Sequence, residues 1–296
     1  METIIIDGKK AASVLQEKLA GETALFTQAT GLKPCLAAVM VGNNGASQTY
    51  VEAKMASCEK VGFESRLIRF EDNISEQNLL AEIDKLNADP TLHGFIVQLP
   101  LPKHISVDLV IDRVSPEKDV DGFHPLNMGR MAKNQPAFAP ATPWGIMQLL
   151  DFYQIPTEGK NVVVLGRSQI VGLPISLLLA RSGNPGNATV TICHSKTVNL
   201  QHHTLQADII VAALGIPEFL TGEMVKQGVT IIDVGLTRLP DASKKSGYRL
   251  AGDVHFESVA PKSAAITPVP GGVGPMTITA LMQNTLLAAR NQLGMA

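Results

Sequence analysis

Strand-like and helix-like segments alternate along this chain of 296 residues, and this order constrains the fold more than any other feature. Short apolar runs that suit strands lie at 36–41, 67–70, 94–99, 161–165, 188–193, 208–213 and 229–234. Helix-like segments lie between them, at 47–61, 75–87, 108–114, 170–182, 197–206 and 221–227. Such an order is typical of an α/β fold with a mainly parallel sheet.

The segment from 119 to 143 is rich in prolines, with Pro125, Pro136, Pro140 and Pro143. The length of the chain suggests one large or two medium domains, and this loop-rich segment is the expected boundary if there are two. A helix is predicted to begin near Thr142, and an apolar helix-like tail closes the chain after Pro275.

Composition excludes several classes of protein. The chain is 45% hydrophobic and 18% charged with a net charge of −2, so electrostatics favour neither nucleic acid nor an anionic membrane as a partner. The three cysteines form no C-x-x-C pair, and the histidines lack metal spacing, so neither a disulfide framework nor a metal site is expected. The first residues do not resemble a signal peptide, and no apolar run approaches the roughly 20 residues of a membrane span. We expect a cytoplasmic protein.

A strand, a glycine turn and a helix follow one another around Gly166, Arg167 and Ser168. A turn of this kind presents the N–H groups of a helix N-terminus, which suit a pyrophosphate. The pattern departs from G-x-G-x-x-G, because Ser168 replaces the second glycine and the last glycine comes one residue late. An ordinary βα turn with a solvent-facing arginine remains the alternative.

The next strand ends in His194-Ser195-Lys196-Thr197, where a fold that prefers NAD usually has a carboxylate for the ribose 2′-hydroxyl. No carboxylate occurs in this stretch. Arg167 offers a forked donor for phosphate oxygens, so donors can gather around a 2′-phosphate. The sequence therefore predicts NADP rather than NAD.

Three prolines and three glycines fall within Pro268–Pro275, between two apolar segments. The prolines make such a stretch stiff, and the glycines leave its peptide groups uncovered by side chains, which suits a flat ligand lying against the backbone. A rigid connection between domains is the other interpretation.

Several polar side chains are candidates for a reacting site. Tyr50 and Lys54 are four residues apart and share a face of the predicted 47–61 helix, beside its apolar stripe. Gln98 is a lone polar residue at the end of an apolar strand, where ligands of parallel sheets bind. In Asp119-Val120-Asp121-Gly122, either carboxylate, that of Asp119 or that of Asp121, can accept from a ligand's N–H groups. The alternatives are a surface lysine, a structural amide and a simple Asp-Gly turn.

Taken together, these segments resemble the bifunctional methylenetetrahydrofolate dehydrogenase/cyclohydrolase family. The motifs that carry the resemblance occur in family order: Tyr50-Val51-Glu52-Ala53-Lys54, Val97-Gln98-Leu99-Pro100-Leu101-Pro102, Pro116 to Gly122, Gly166-Arg167-Ser168 with Val171-Gly172, and Thr267 to Thr277. The resemblance implies an N-terminal α/β folate-binding domain (1–143 plus 275–296), to which the C-terminal helix returns, and a Rossmann-type NADP-binding domain (144–274). It also implies a homodimer without a metal.

The implied reactions are oxidation of 5,10-methylenetetrahydrofolate by NADP⁺ and hydrolysis of the resulting 5,10-methenyl cation to 10-formyltetrahydrofolate. Hydride loss needs no strong base, whereas hydrolysis needs proton transfer. We expect Lys54, positioned by Tyr50 and Gln98, to serve the hydrolytic step, and the family places Asp121 on the pterin ring. The expected substrate-binding positions are Tyr50, Val51, Glu52, Ala53, Lys54, Val97, Gln98, Leu99, Asp121, Pro270, Gly271, Gly272, Val273 and Gly274.

For the cofactor, the resemblance places Arg167 and Ser195 at the 2′-phosphate. Leu236 stands where the family commonly carries isoleucine, which is a mild departure. The expected cofactor positions are Gly166, Arg167, Ser168, Ser195, Leu236 and Thr277.

Three other functions stay open on the sequence: a dehydrogenase with weak cyclohydrolase activity, another two-domain NADP dehydrogenase, and a catalytically silent nucleotide-binding module. The second explains residues 161–235 but leaves the Tyr50/Lys54 pair, Gln98 and the Pro-Gly stretch without a role. A silent module has no need for Lys54, Gln98 and Asp121 together.

Overall fold

The computed structural model describes residues 2–43, 45–244 and 247–295, apart from the side chain of Ala46. The strands of these residues are β1 (Ile4–Ile5), β2 (Cys35–Val41), β3 (Glu64–Phe70), β4 (Gly94–Val97), β5 (Asn161–Leu165), β6 (Thr189–Cys193), β7 (Ile209–Ala212), β8 (Val229–Asp233), β9 (Thr237–Pro240), β10 (Tyr248–Ala251) and β11 (Ser263–Ile266). The α-helices are α1 (Gly8–Thr30), α2 (Gly45–Lys60), α3 (Glu76–Ala88), α4 (Val107–Arg113), α5 (Pro125–Ala132), α6 (Ala141–Phe152), α7 (Gly172–Ala180), α8 (Leu200–Gln206), α9 (Phe256–Val259) and α10 (Val273–Gln292).

The chain divides into two compact units. One consists of Ser13–Ala141 and Ile278–Ala296, and the other of Met1–Ala12 and Thr142–Thr277. We call them the first and the second unit.

The first unit is built on a three-stranded parallel sheet in the order β3-β2-β4. Every residue of β2 is buried, which explains its continuous apolar sequence, because a central parallel strand is covered on both faces. The α3 helix buries Leu79 and Ile83 against this sheet, and the Ser75 hydroxyl caps its N-terminus by accepting from the N–H of Asn78.

The second unit is built on a six-stranded parallel sheet in the order β1-β11-β8-β7-β5-β6. From β5 the chain passes to β6 on one side and then to β7 on the other, so the strand order reverses at β5. In open α/β sheets, ligands bind beyond the carboxyl ends of the strands at such a reversal. The expected α/β fold with a parallel sheet is confirmed, and so is the C-terminal helix, whose residues from Ile278 belong to the first unit.

The structure differs from the sequence-based expectation in several places, and the predicted 221–227 helix is only a 3-10 turn at Gly222–Met224. Residues 8–30 form α1, the longest helix described, although no helix was predicted there. The proline-rich segment expected to be loop contains α5, with Pro125 in its first turn. The last helix begins at Val273 rather than after Pro275. The first twelve residues belong to the second unit, because β1 pairs with β11.

Candidate functional site

Lys54 is buried in the first unit. It shares one face of α2 with Val51 and Cys58, both fully buried, and only 9% of its own surface is exposed. Lys54 thus lies within the buried stripe rather than beside it, whereas Tyr50, expected on the same face, is 40% exposed. The helix predicted over 47–61 begins two residues earlier than expected, at Gly45.

Gln98 holds the amine of Lys54. The Nζ of Lys54 donates to the Oε1 of Gln98 at 3.1 Å. Two further bonds fix Gln98: its backbone N–H donates to the carbonyl of Val39 at 2.8 Å, and its Nε2 donates to the carbonyl of Leu99 at 2.8 Å. Because the amide nitrogen is used in this way, the oxygen faces the lysine. Gln98 follows β4 directly, at the carboxyl end of the sheet.

Asp121 supplies the charge that acts on Lys54. Burial lowers the pKa of Lys54, and the Asp121 carboxylate opposes that shift. Burial likewise raises the pKa of Asp121, and the lysine charge opposes it. An amine with a lowered pKa is neutral more often near pH 7, so it can accept a proton as well as donate one.

The loop that presents Asp121 is held by Asp119, whose role the sequence did not reveal. The Asp119 carboxylate accepts from the N–H of Phe123 at 3.2 Å, the N–H of His124 at 2.8 Å and the Nδ2 of Asn127 at 2.9 Å. Its lone pairs are therefore engaged within the protein, which leaves Asp121 as the carboxylate for a ligand. Burial raises the pKa of Asp119 to about 6.

The C-terminal helix also supports this loop. The Nδ2 of Asn284 in α10 donates to the carbonyl of Val120 at 2.8 Å and to that of Ala139 at 2.9 Å. Gly122 has φ +76, and a Cβ there would lie 2.6 Å from the backbone of Ala139, so only glycine fits. An amide in an apolar helix is the one sequence signal that could have identified Asn284.

Other residues expected to bind substrate in the first unit divide into two groups. Val97, Leu99 and Asp121 line one recess together with Asp119 and Phe123. Val51 is fully buried, and Glu52 accepts from the Nε2 of Gln48 at the surface. Ala53 is exposed.

The Gly166 turn of the second unit lies at the carboxyl end of β5, where the strand order reverses. Gly166 has φ +114, and a Cβ there would lie 2.2 Å from the carbonyl oxygen of Ala213. A Cβ on Gly172 would lie 2.3 Å from the carbonyl oxygen of Gly166, so the helix can approach the turn only without side chains. The Ser168 hydroxyl accepts from the N–H groups of Val171 and Gly172, both at 3.2 Å.

These residues fit a dinucleotide with a 2′-phosphate. Arg167 and Ser168 are exposed at the turn, and Ser195 and Lys196 are exposed after β6, the strand that pairs with β5. No carboxylate lies between Cys193 and Thr197. The side chain of Leu236 is also exposed, and this residue directly follows Gly235 in the loop after β8.

The Pro-Gly stretch belongs to the second unit up to Thr277. Pro268 to Gly272 precede α10, whereas Val273 and Gly274 form its first turn, so the expected loop is shorter than predicted. A Cβ on Gly8 would lie 1.7 Å from the carbonyl oxygen of Gly272, which shows how closely the start of α1 approaches this stretch. Thr277 shares a hydrogen bond of 3.0 Å with Thr142.

The expected site residues therefore lie in two sets. Lys54, Gln98 and Asp121 belong to the first unit, whereas the Gly166 turn, Ser195, Leu236 and the Pro-Gly stretch belong to the second. Among the described residues, no group of three or more His, Cys, Asp or Glu side chains is arranged to hold a metal ion. No helix in the described part of the chain is long and apolar enough to cross a bilayer.

Two family models match the chain. One, described as the tetrahydrofolate dehydrogenase/cyclohydrolase catalytic domain, matches residues 6–121, and the other, described as the NAD(P)-binding domain of the same family, matches residues 140–293. The chain is 56% identical over 292 residues to the Bifunctional protein FolD of Porphyromonas gingivalis, covering 98% of this chain and 99% of that protein.

Solved structures agree with these matches. The bifunctional FolD methylenetetrahydrofolate dehydrogenase/cyclohydrolase of Campylobacter jejuni is 46% identical with a TM-score of 0.91, covering 98% of this chain and 99% of that one. The Trypanosoma brucei methylenetetrahydrofolate dehydrogenase-cyclohydrolase, solved with NADP and an inhibitor, is 38% identical with a TM-score of 0.94 and covers 99% of both chains.

Proposed function

Because the chain belongs to the tetrahydrofolate dehydrogenase/cyclohydrolase family, we propose that Lys54, Gln98 and Asp121 form its folate-reacting site and that the Gly166 turn binds its cofactor. The observation that carries this proposal is the partly buried hydrogen bond from the Nζ of Lys54 to the Oε1 of Gln98 at the end of β4. A buried amine held this way, with a carboxylate charge acting on it, is equipped for proton transfer.

The chain is a bifunctional enzyme that uses NADP. It oxidises 5,10-methylenetetrahydrofolate to the 5,10-methenyl cation, and it hydrolyses that cation to 10-formyltetrahydrofolate. When bound, NADP⁺ supplies the acceptor for the hydride that leaves the one-carbon unit. The cation is stabilised by its own two nitrogens, so the protein's main task in this step is to orient the substrate and exclude water.

In the hydrolytic step, water adds to the carbon of the cation and a C–N bond of the ring then breaks. Neutral Lys54 accepts the proton that the attacking water releases and returns it to the leaving nitrogen. Gln98 keeps the Nζ in place during both transfers. Burial of the amine makes this role possible, because it lowers the pKa of Lys54 towards the working pH.

Asp121 is proposed to hold the pterin ring. Its carboxylate would accept from the 2-amino and N3 groups of the ring. Asp119 and Asn284 hold the loop of Asp121 in place through their hydrogen bonds to His124 and Val120. Val97 and Leu99, which lie with Asp121 around one recess of the first unit, are proposed to contact the ring as well. The Pro270–Gly274 backbone and the exposed side chain of Tyr50 are further proposed contacts of the folate.

For the cofactor, we propose that the Gly166–Ser168 turn binds the pyrophosphate and that Arg167 and Ser195 bind the 2′-phosphate. Leu236 and Thr277 are proposed to contact the rest of NADP. What supports this assignment is the steric need for glycine at 166 and 172 and the exposed donors at the ends of β5 and β6.

We further propose a homodimer in the cytoplasm. β3 pairs with β2 along one edge, and no named strand of the described residues pairs with its other edge, which is a surface that can pair with a second chain. The three cysteines are buried free thiols, in keeping with a reducing compartment.

The test of this function is Lys54→Met, with Lys60→Met on the same helix as the matched control because Lys60 is exposed. We expect Lys54→Met to lower cyclohydrolase turnover by about 10²-fold or more, since general acid–base catalysis typically contributes that much. Thermal unfolding should show a folded protein, because the change removes a buried amine. Lys60→Met should leave both activities as they are.

Three readouts separate the alternatives: NADPH formation with NADP⁺, the same assay with NAD⁺, and decay of the methenyl product. Unchanged cyclohydrolase turnover in Lys54→Met would contradict the role given to Lys54. A wild-type enzyme that accumulates stable methenyl product would instead be a dehydrogenase with weak hydrolysis.

A further inference from the structure

Two carboxylates are buried side by side in the second unit. Asp253 is 0% exposed and Asp233 is 4% exposed. Neither takes part in any ion pair among the described residues, although buried carboxylates usually have a charged partner. Backbone N–H groups from three loops bind the Oδ2 of Asp253 and both oxygens of Asp233, whereas the buried Oδ1 of Asp253 has no hydrogen-bond partner among the described residues.

Asp253 binds the loop that follows β7. Its Oδ2 accepts from the N–H of Leu214 at 2.6 Å and from the N–H of Gly215 at 2.9 Å. Hydrogen bonds to a carboxylate are stronger than those between neutral groups, so this loop has little freedom to move.

That loop forms the support of the Gly166 turn. A Cβ on Gly166 would lie 2.2 Å from the carbonyl oxygen of Ala213, so the two backbones touch. The N–H of Ala213 also donates to the carbonyl of Leu165 at 2.8 Å, directly before the turn. A shift of residues 213–215 would therefore move Gly166 and, with it, Arg167 and Ser168.

Asp233 fixes Asp253 in turn. Its Oδ1 accepts from the N–H of Asp253 at 2.9 Å and from that of Gly235 at 3.0 Å, and its Oδ2 accepts from the N–H of Val254 at 3.1 Å. A Cβ on Gly252 would lie 1.9 Å from the Oδ2 of Asp233, so the residue directly before Asp253 has to be glycine.

The backbone of Asp233 is bonded to the residue that precedes the Pro-Gly stretch. The N–H of Asp233 donates to the Oγ1 of Thr267 at 2.7 Å, and Thr267 directly precedes Pro268. Burial raises the pKa of Asp233 to about 7 and raises that of Asp253, so the two groups need not both be charged at neutral pH.

We propose that Asp253, held by Asp233, is a positioning residue for NADP⁺: through the N–H groups of Leu214 and Gly215 it sets the loop on which the Gly166 turn rests. The inference depends on the proposed binding of the cofactor at that turn. It assigns to Asp253 no contact with the cofactor or with the reacting atoms.

The experiment compares Asp253→Ala, Asp253→Asn and Asp208→Ala with the wild-type enzyme. Asp208 is the matched control, because its carboxylate also accepts a backbone N–H, that of Asn161 at 2.9 Å, but at the amino end of β5. The dissociation constant of NADP⁺ is measured by titration, together with KM for NADP⁺, kcat and the thermal unfolding temperature. Cyclohydrolase turnover, which consumes no NADP⁺, measures the amount of folded enzyme.

We expect Asp253→Ala to weaken NADP⁺ binding by about tenfold or more, because two backbone N–H groups lose their acceptor. This loss should exceed any loss of cyclohydrolase turnover. Asp253→Asn should recover most of the affinity, since its amide oxygen can accept from the same two N–H groups. Asp208→Ala should lower the unfolding temperature while the NADP⁺ affinity stays at the wild-type value.

Wild-type affinity in Asp253→Ala would overturn the proposal. So would an affinity loss in Asp208→Ala of the same size, or an Asp253→Asn protein as weak as Asp253→Ala. If Asp253→Ala does not fold, the same affinity is measured for Asp253→Ser, whose hydroxyl can accept from one of the two N–H groups. Wild-type affinity for NADP⁺ in that variant would also contradict the proposal. A wild-type enzyme that binds no NADP⁺ would refute the proposed cofactor site instead.

Discussion

At the scale of single residues, the chemistry of this enzyme depends on which polar groups are buried. Lys54 and Tyr50 are one helical turn apart, yet only the lysine lies on the buried face of α2. Asp119 and Asp121 are two residues apart, yet the lone pairs of Asp119 are bound by its own loop. The two residues of each pair are close in sequence, but they differ in burial or in hydrogen-bond partners because the surrounding protein packs differently around them.

The first prediction concerns Asp121. Asp121→Ala should raise KM for the folate substrate by about tenfold or more, because the variant loses the charge-assisted hydrogen bonds that the carboxylate would accept from the ring N–H groups. KM for NADP⁺ should change little, since the Gly166 turn proposed to bind the cofactor belongs to the second unit and Asp121 to the first. Steady-state kinetics with each substrate varied in turn measures both constants.

Asp84→Ala is the control for this change, because Asp84 is an exposed carboxylate of the same unit that pairs with Arg113. It should leave both constants unchanged. Equal losses of folate and NADP⁺ affinity in Asp121→Ala would indicate that Asp121 only shapes its turn.

At the scale of secondary-structure elements, α1 connects the two units and contains two glycines with opposite requirements. Gly8 begins the helix, and a Cβ there would lie 1.7 Å from the carbonyl oxygen of Gly272. Gly21 lies inside the helix, and a Cβ there would meet nothing within 4 Å. The first glycine is therefore needed for a close approach of two backbones, and the second is not.

Alanine substitutions should consequently have opposite effects on stability. Gly8→Ala should lower the free energy of unfolding by roughly 1–3 kcal/mol or more, because the added methyl group would overlap with the backbone of Gly272, which cannot move aside as a flexible side chain could. It should also raise KM for folate if the Pro-Gly stretch contacts it. Gly21→Ala should raise the free energy of unfolding by about 1 kcal/mol, because glycine is a poor helix former.

Chemical denaturation of the two variants and the wild type tests this pair directly. A stabilised Gly8→Ala protein would mean that the start of α1 can move away from Gly272 without cost, and the stretch would then owe its position to other contacts.

At the scale of the whole molecule, stability should depend on pH through its buried carboxylates. The folded-state pKa of Asp233 is about 7 and that of Asp119 is about 6, both raised by burial above the ordinary value of 3.8. The folded protein therefore holds protons that the unfolded chain has already released. Their contribution to stability is present at low pH and is lost as pH rises through the folded-state values.

Asp233→Asn isolates the larger of these contributions. The variant should be less stable than the wild type at about pH 5, and the difference between the two should shrink towards about pH 8, because only the wild type has a carboxyl at position 233 whose folded form loses a proton in this range. Unfolding temperatures across this range provide the measurement. Asp241→Asn is the control, since hydrogen bonds from Ser243 lower the pKa of that exposed carboxyl and place its titration below the range. Parallel curves for Asp233→Asn and the wild type would contradict the prediction.

The sequence by itself determined the order of strands and helices, the Gly166 turn and the position of Gln98 at a strand end. Each of these is a local pattern: apolar runs, glycine where a side chain cannot fit, and a polar residue that ends an apolar run. The family resemblance added the activity and the cofactor, which the family matches support.

Only the tertiary structure decided which candidate residues are buried and which hold other residues in place. The buried face of α1 includes the polar residues Gln16 and Thr23, so the sequence of this helix shows no continuous apolar stripe and did not predict it. Asn284, Asp119 and Asp253 act through contacts with residues far apart in the chain or across a loop, and no short-range pattern contains those partners. Periodicity reports what one segment prefers, whereas burial and hydrogen-bond partners depend on segments that meet only in the folded chain.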